Sequence, residues 1–269
     1  MPVINIAGCQ MLVTADVGSN VSKIVAGIRD GAESGADLVV FPECAVSGYP
    51  PIHHSDIKDI DMVSVAEANQ SICDAARKYG VWVVVGTIVQ SSDGLLNTAL
   101  LINASGAIEG RQDKLHLFHG DRSYFVQGES LECFTVKGVR LGISVCYDSR
   151  FPEIFRVLRE EGAEVFIMIL NGCGGDTWKR PVMEGTFRCR AAENTAFVVA
   201  VNTAGSQQIC VSRICDPVGV DLAVAEADTE QMLIAELNTS KTLEGIYFDC
   251  RADLFSVSMN HLSDKFPSS

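Results

Sequence analysis

LGISVCYDSRFPE, residues 141–153, carries a buried run into a polar turn across a single thiol. Residues 139–145 are apolar and β-branched enough for a central strand, whereas Tyr147, Asp148, Ser149, Arg150 and Pro152 cannot continue it. They lead into the helix-like EIFRVLREEG. Cys146 therefore stands at a strand-to-helix elbow, rigidly held on one side and open to substrate on the other. The Tyr147 N–H, just past the thiol, points where a developing oxyanion could sit. Cysteine is also among the most buried residue types and packs as a small hydrophobe. Only partners from elsewhere in the chain give this thiol a chemical meaning.

Upstream, strands and helices alternate. Residues 3–10 read as a buried strand, and 16–34 as a helix with Val21, Ile24, Val25, Ile28 and Ala32 at helical spacing. Residues 36–41 form a second buried strand broken by Pro42, which leaves Glu43 at its C-terminal end. Residues 44–59 read as a loop, and 63–79 as an amphipathic helix stopped by Gly80. Two adjacent strands, 81–89 and 96–102, flank the turn signal Ser92-Asp93-Gly94. The run 111–118 then ends in an irregular, charged stretch through Gly128, with Lys114 inside it and His116 read as a packed strand residue.

Downstream, a strand pair over 133–145 leads to Cys146, a helix over 153–161, a strand over 164–170 and a Gly-rich loop, 171–176, long enough to border a pocket. A helical pattern runs from Trp178 through Asn194, followed by a strand over 196–202. Short strands around 209–214, 222–225 and 232–236 alternate with turns at Asp216-Pro217-Val218-Gly219 and Asp228-Thr229-Glu230. From Lys241 there is no strong periodicity, and this tail is expected to pack on a partner subunit. With no internal repeat, low-complexity tract or linker, one α/β domain spanning 1–269 is the expectation.

Composition narrows the function classes. The 269 residues are 47% hydrophobic and carry a formal charge of -13, with a pI near 4.8. Nucleic acid and anionic membrane surfaces reward excess Lys and Arg, so neither is the expected partner. No apolar run approaches the roughly 20 residues that span a bilayer. The N-terminus MPVINIAGCQML lacks the pattern of a signal peptide, which points to a cytoplasmic location and free thiols for the ten cysteines. No cysteine pair has the two-residue spacing of a zinc or redox motif, so no structural metal is expected.

Glu43, Lys114 and Cys146 all fall at strand ends, where layered α/β domains gather their chemistry. A carboxylate can accept a thiol proton, an ammonium can stabilise both thiolate and oxyanion, and a thiolate can attack an electrophilic carbon. Spacing alone does not bring them together.

FPE at 41–43, DKLHLF at 113–118 and CYDSRFPE at 146–153 resemble, in order and local sequence, the glutamate, lysine and cysteine motifs of the nitrilase-superfamily carbon–nitrogen hydrolases, amidase-like branch. The resemblance continues through Trp178, the stretch 188–194 and Asp216-Pro217-Val218-Gly219. It implies a four-layer αββα sandwich and dimerisation, as a homodimer or higher homo-oligomer. It also implies Glu43 as general base, Cys146 as nucleophile and Lys114 as the transition-state cation. The implied activity is a thiol amidohydrolase that cleaves a nonpeptide C–N bond of a small carboxamide through a thioester, with no metal or organic cofactor required. A nitrilase would use the same three residues on a nitrile. A binding protein or a thiol redox sensor on the same fold are the other readings.

One departure stands out. Many members of the family carry a second glutamate after the lysine motif; HGDRSYFVQG offers Asp121 there, one methylene shorter. It is either a shortened active-site acid or a solvated loop residue. Asn171, Cys173 and Trp178 flank the Gly-rich loop and are candidates for the pocket wall, with Trp178 equally at home in the core. Cys44 reads as core packing. Arg188, Arg190 and Glu193 read as ion-pair residues.

Overall fold

In the computed structural model, residues 2–251 and 253–257 are described. Two six-stranded mixed sheets form its centre. The first contains β1 (Val3–Gln10), β2 (Leu38–Val40), β3 (Trp82–Gln90), β4 (Leu95–Ile102), β5 (Ile108–Asp113) and β12 (Gln231–Asn238), in the order β12-β1-β2-β3-β4-β5. The second contains β6 (Cys133–Val136), β7 (Val139–Val145), β8 (Val165–Ile169), β9 (Phe197–Val201), β10 (Arg213–Cys215) and β11 (Asp221–Val224), in the order β11-β10-β9-β8-β7-β6. Each sheet keeps a parallel centre, β1-β2-β3 in one and β7-β8-β9 in the other, with antiparallel flanks.

Strand periodicity explains the layering. In β1, Ile4 and Ile6 face the second sheet, while Ala7 and Cys9 face helices α1 (Val17–Glu33) and α3 (Met62–Tyr79). In β7, Val139, Leu141, Ile143 and Val145 all join the core between the sheets. A third core packs β8 and β9 against α4 (Pro152–Glu160) and α5 (Arg180–Asn194) through Phe155, Phe166, Phe187 and Val198. The order is helices, sheet, sheet, helices: the αββα sandwich. Asp16 caps α1 by accepting the Ser19 N–H at 2.6 Å, and Gly80 ends α3 with φ at +65°.

Several elements differ from the expectation. The loop 44–59 contains a helical turn, α2 (Pro50–His53), started by two prolines whose fixed φ suits a first turn. β5 is a strand although mostly exposed; it sits at the sheet edge, so no apolar alternation marks it. The strand expected over 209–214 shrinks to β10, because Ile209 bonds to Gly172 O instead of to a neighbouring strand. β12 is longer than expected because it pairs with β1 along its full length, from Asn238↔Val3 to Gln231↔Gln10. The described part of the tail lies across α4 and α5 of its own chain: Arg159 donates to Thr242 O at 2.6 Å and lies over the Tyr247 ring. The tail beyond 257 lies outside the described residues. No helix among the described residues is long and apolar enough to cross a membrane.

Candidate active site

The ends of β2, β5, β7 and β8 meet at one buried point. Glu43 follows β2 and is fully buried. Its placement depends on Gly86 of β3, against which the chain passes so closely that a Cβ there would stand 2.6 Å from both Cys44 N and Glu43 Cα, and closer still to Pro42 O. Three donors hold the carboxylate. The Asn97 amide and the Lys114 ammonium reach Oε1, each at 2.7 Å, and the Asn171 backbone N–H reaches Oε2 at 2.9 Å.

Lys114 follows β5, and its backbone N–H bonds to Asn97 O at 2.9 Å. Its ammonium is buried between two carboxylates, with Asp121 Oδ2 also at 2.7 Å. Asp121 is fully buried and so is no solvated loop residue. Its Oδ1 accepts the Tyr49 hydroxyl at 2.7 Å and its Oδ2 accepts the Phe118 N–H at 2.8 Å.

Cys146 ends β7 with φ at +47°, a left-handed conformation that costs a non-glycine residue about 1–3 kcal/mol. This strain turns the chain from β7 into a 3₁₀ turn, Cys146–Arg150, and sets the half-buried cysteine beside the Glu43 carboxylate and the Asn171 N–H. The Tyr147 N–H lies in the first turn, where leading N–H groups lack intrahelical partners. Asp148, also buried, braces the elbow. It accepts the Val145 N–H at 3.2 Å and the His116 N–H at 2.8 Å, so the lysine segment is tied to the thiol turn.

The electrostatics follow from burial of mixed charges. Burial pushes Glu43 above the ordinary carboxylate range; Lys114 opposes this and Asp121 adds to it. Burial, then the neighbouring Glu43 charge, push the Cys146 thiol up, so the resting form is the neutral thiol. Burial works to lower Lys114, but the surrounding Glu43, Cys146 and Asp121 outweigh it and hold the group above the usual ammonium value. A cation that stays charged sits between two carboxylates, one of them with raised proton affinity, in the same cluster as the thiol.

Glu43, Lys114, Cys146, Tyr147, Asp121 and Asn171, all candidates from the sequence, are gathered by the fold at this point. Trp178 is not core: it is 72% exposed, with the Lys179 ammonium over its ring at 5.3 Å. Cys44 is fully buried in the core, as expected, with φ at +48°. His116 is not a strand residue; it lies past β5, stacked on Phe151 with ring centroids 3.7 Å apart. Arg190 pairs with Glu193 at 2.8 Å, while Arg188 pairs with Asp221 at 2.5 Å. Sequence reasoning misses Tyr49, Asn97 and Asp148. Asn97 carries a readable signal, a lone amide inside the apolar run LLNTALLI. Among the described residues no group of three or more His, Cys, Asp or Glu side chains is gathered so as to hold a metal ion.

An αββα sandwich with a thiol, a carboxylate and an ammonium converging at its strand ends defines a nitrilase-superfamily hydrolase. Residues 5–246 match the family described as carbon-nitrogen hydrolase, and the chain belongs to that family. It is 29% identical over 225 residues to a nitrilase from Pyrococcus abyssi, covering 81% of this chain and 83% of the relative. It is 32% identical over 197 residues to an (R)-stereoselective amidase from Pseudomonas sp., covering 71% and 67% of the two chains. The crystal structure of the Caenorhabditis elegans NitFhit protein superposes with a TM-score of 0.86 at 25% identity, over 96% of this chain and 68% of that one.

Proposed function

We propose that this carbon–nitrogen hydrolase is an amidase that cleaves a small carboxamide through a Cys146 thioester. The observation that carries the reading is the Lys114 ammonium held 2.7 Å from Glu43 Oε1 in the same cluster as the Cys146 thiol. Glu43 takes the thiol proton, and the thiolate attacks the carbonyl carbon. Lys114 has three N–H donors; two are engaged by Glu43 and Asp121, and the third, with the Tyr147 N–H, meets the oxyanion. The proton held by Glu43 passes to the departing nitrogen, which leaves as ammonia or an amine. Glu43 then deprotonates a water that attacks the thioester, releasing the carboxylic acid and restoring the thiol. The raised proton affinity of Glu43 suits a group that must accept and return a proton.

The amide reading is preferred to the nitrile one on the amidase-like branch that the cysteine motif CYDSRFPE resembles, supported by the (R)-stereoselective amidase that is 32% identical over 197 residues. In this reading Trp178 belongs to the mouth of the site and not to the reacting centre. The enzyme acts as a single-domain cytoplasmic homodimer or higher homo-oligomer on a diffusible small molecule, with no nucleic acid or membrane partner.

Ammonia release from a panel of small amides, ω-amides, carbamoyl amines and nitriles tests the proposal. Amides should be turned over, with nitriles slower in kcat/KM. Preferential nitrile turnover would overturn the amidase assignment, and no release from any panel member by folded enzyme would count against the hydrolytic reading.

A further inference from the structure

Asp121 does with a short side chain what a glutamate would do with a longer one: its Oδ2 meets the Lys114 ammonium at 2.7 Å. An aspartate can swing away by rotating about two bonds, so something must hold it. Phe118 N–H, at 2.8 Å on Oδ2, adjoins the same 3₁₀ turn (His119–Ser123) and moves with it. The other oxygen is held from a distant segment, by the Tyr49 hydroxyl at 2.7 Å.

Tyr49 is well fixed for that task. It is 5% exposed and belongs to the loop that leaves Glu43, immediately before the two prolines that open α2. Its N–H bonds to His53 Nδ1 at 2.9 Å, locking the loop turn, and its ring lies 5.6 Å from the Lys114 ammonium. The cation is thus enclosed by Glu43 Oε1, Asp121 Oδ2 and the ring whose hydroxyl secures Asp121. Burial and the nearby Glu43 and Asp121 charges keep the phenol protonated, so it remains a donor throughout the reaction.

We propose that Tyr49 is a positioning residue: its hydroxyl aims the short carboxylate of Asp121 at Lys114, so that the ammonium is clamped from both sides and its remaining N–H is directed at the reacting carbonyl. This role rests on the reading of Lys114 as the oxyanion cation. It adds that shortening the second acid is compensated by a tether from the glutamate loop. Buried, with its hydroxyl committed to Asp121, Tyr49 acts in this reading through Asp121 and not on substrate. Its removal should therefore act on the chemical step and leave binding almost unchanged.

A double-mutant cycle on amide hydrolysis tests this. Tyr49→Phe keeps the ring and removes only the hydroxyl. It should lower kcat about ten-fold with KM within about two-fold, in a folded protein whose melting temperature falls by only a few degrees. Asp121→Asn should lower kcat at least as much, and adding Tyr49→Phe to it should cost nothing further, because the tether then has no carboxylate to aim. A wild-type kcat in Tyr49→Phe, or losses that multiply in the double variant, would overturn the proposal. Should Tyr49→Phe fail to fold, a folded Asp121→Asn enzyme with wild-type kcat would overturn it by itself. Lys114→Ala separates the two levels: normal turnover there defeats the catalytic reading, whereas an inactive Lys114→Ala beside a fully active Tyr49→Phe defeats only the tether.

Discussion

Asp148 Oδ1 accepts the backbone N–H of His116 at 2.8 Å, which ties the segment after Lys114 to the turn that begins at Cys146. The same carboxylate accepts the Val145 N–H at 3.2 Å and the Leu115 N–H at 3.3 Å, and lies 3.0 Å from the His116 ring nitrogen Nδ1. The lysine and the thiol follow strands of different sheets and are connected by no strand pairing. Their separation depends on this buried carboxylate.

Asp148→Asn should therefore be a damaging substitution despite its equal size. All of the carboxylate's backbone partners are N–H donors, so one end of an asparagine amide must face donors with its own NH2 group. A stability loss of about 2–4 kcal/mol is expected from the broken charge-assisted bonds and the unpaired donors, with kcat falling more than KM rises. Urea melts and steady-state kinetics on the purified variant check this. An Asp148→Asn enzyme of normal stability and normal kcat would show that the brace is dispensable.

Gly86 sets the position of the general base by having no side chain. The Cβ of Gly86→Ala would stand 2.6 Å from Glu43 Cα and from Cys44 N, atoms of a backbone that cannot rotate aside. Overpacking of this kind costs roughly 1–3 kcal/mol, and relief by moving Glu43 would separate it from Lys114. Thermal melting and turnover should both fall. Retention of full activity would mean that Glu43 has freedom that its three hydrogen bonds do not suggest.

The raised pKa of Glu43 gives a stability prediction whose sign is fixed. Its protonated form is favoured by the fold, so between the ordinary carboxylate value and the raised one the native state holds more protons than the unfolded chain. The stabilisation is complete below the unfolded pKa and is lost as pH rises through the folded one. Glu43→Gln should flatten the fall in melting temperature across that window while abolishing turnover. Wild-type kcat/KM should rise through the same window as the base ionises. Parallel melting curves for both proteins against pH would contradict the assignment of that proton to Glu43.

What is legible in the sequence is what burial writes into it. The central strands β1, β3, β4 and β7 are largely covered on both faces, so their apolar runs are plain. β5 lies at an edge with most of its side chains in water and leaves no such pattern. Cys146 and Glu43 can be read because each terminates a strand-like run, Lys114 because DKLHLF resembles a family motif, and Asp121 because its offset from Phe125 matches one. Their hydrogen-bond partners cannot. Tyr49 meets Asp121 across 72 residues through a loop whose path is set by packing, and nothing local in Ser47-Gly48-Tyr49 announces it. Trp178 reads toward the pocket wall or the core because tryptophan usually buries its ring. Here the ring is exposed under a lysine.

The central claim, a covalent intermediate on Cys146, is tested most directly by rapid quench of the enzyme with an amide substrate, followed by intact-mass and peptide mapping. An acyl adduct is predicted on the peptide carrying Cys146. Cys146→Ala should show no adduct, a wild-type fold and a loss of turnover on the order of 10⁴ or more. An adduct on another residue, or hydrolysis by Cys146→Ala at the wild-type rate, would contradict it.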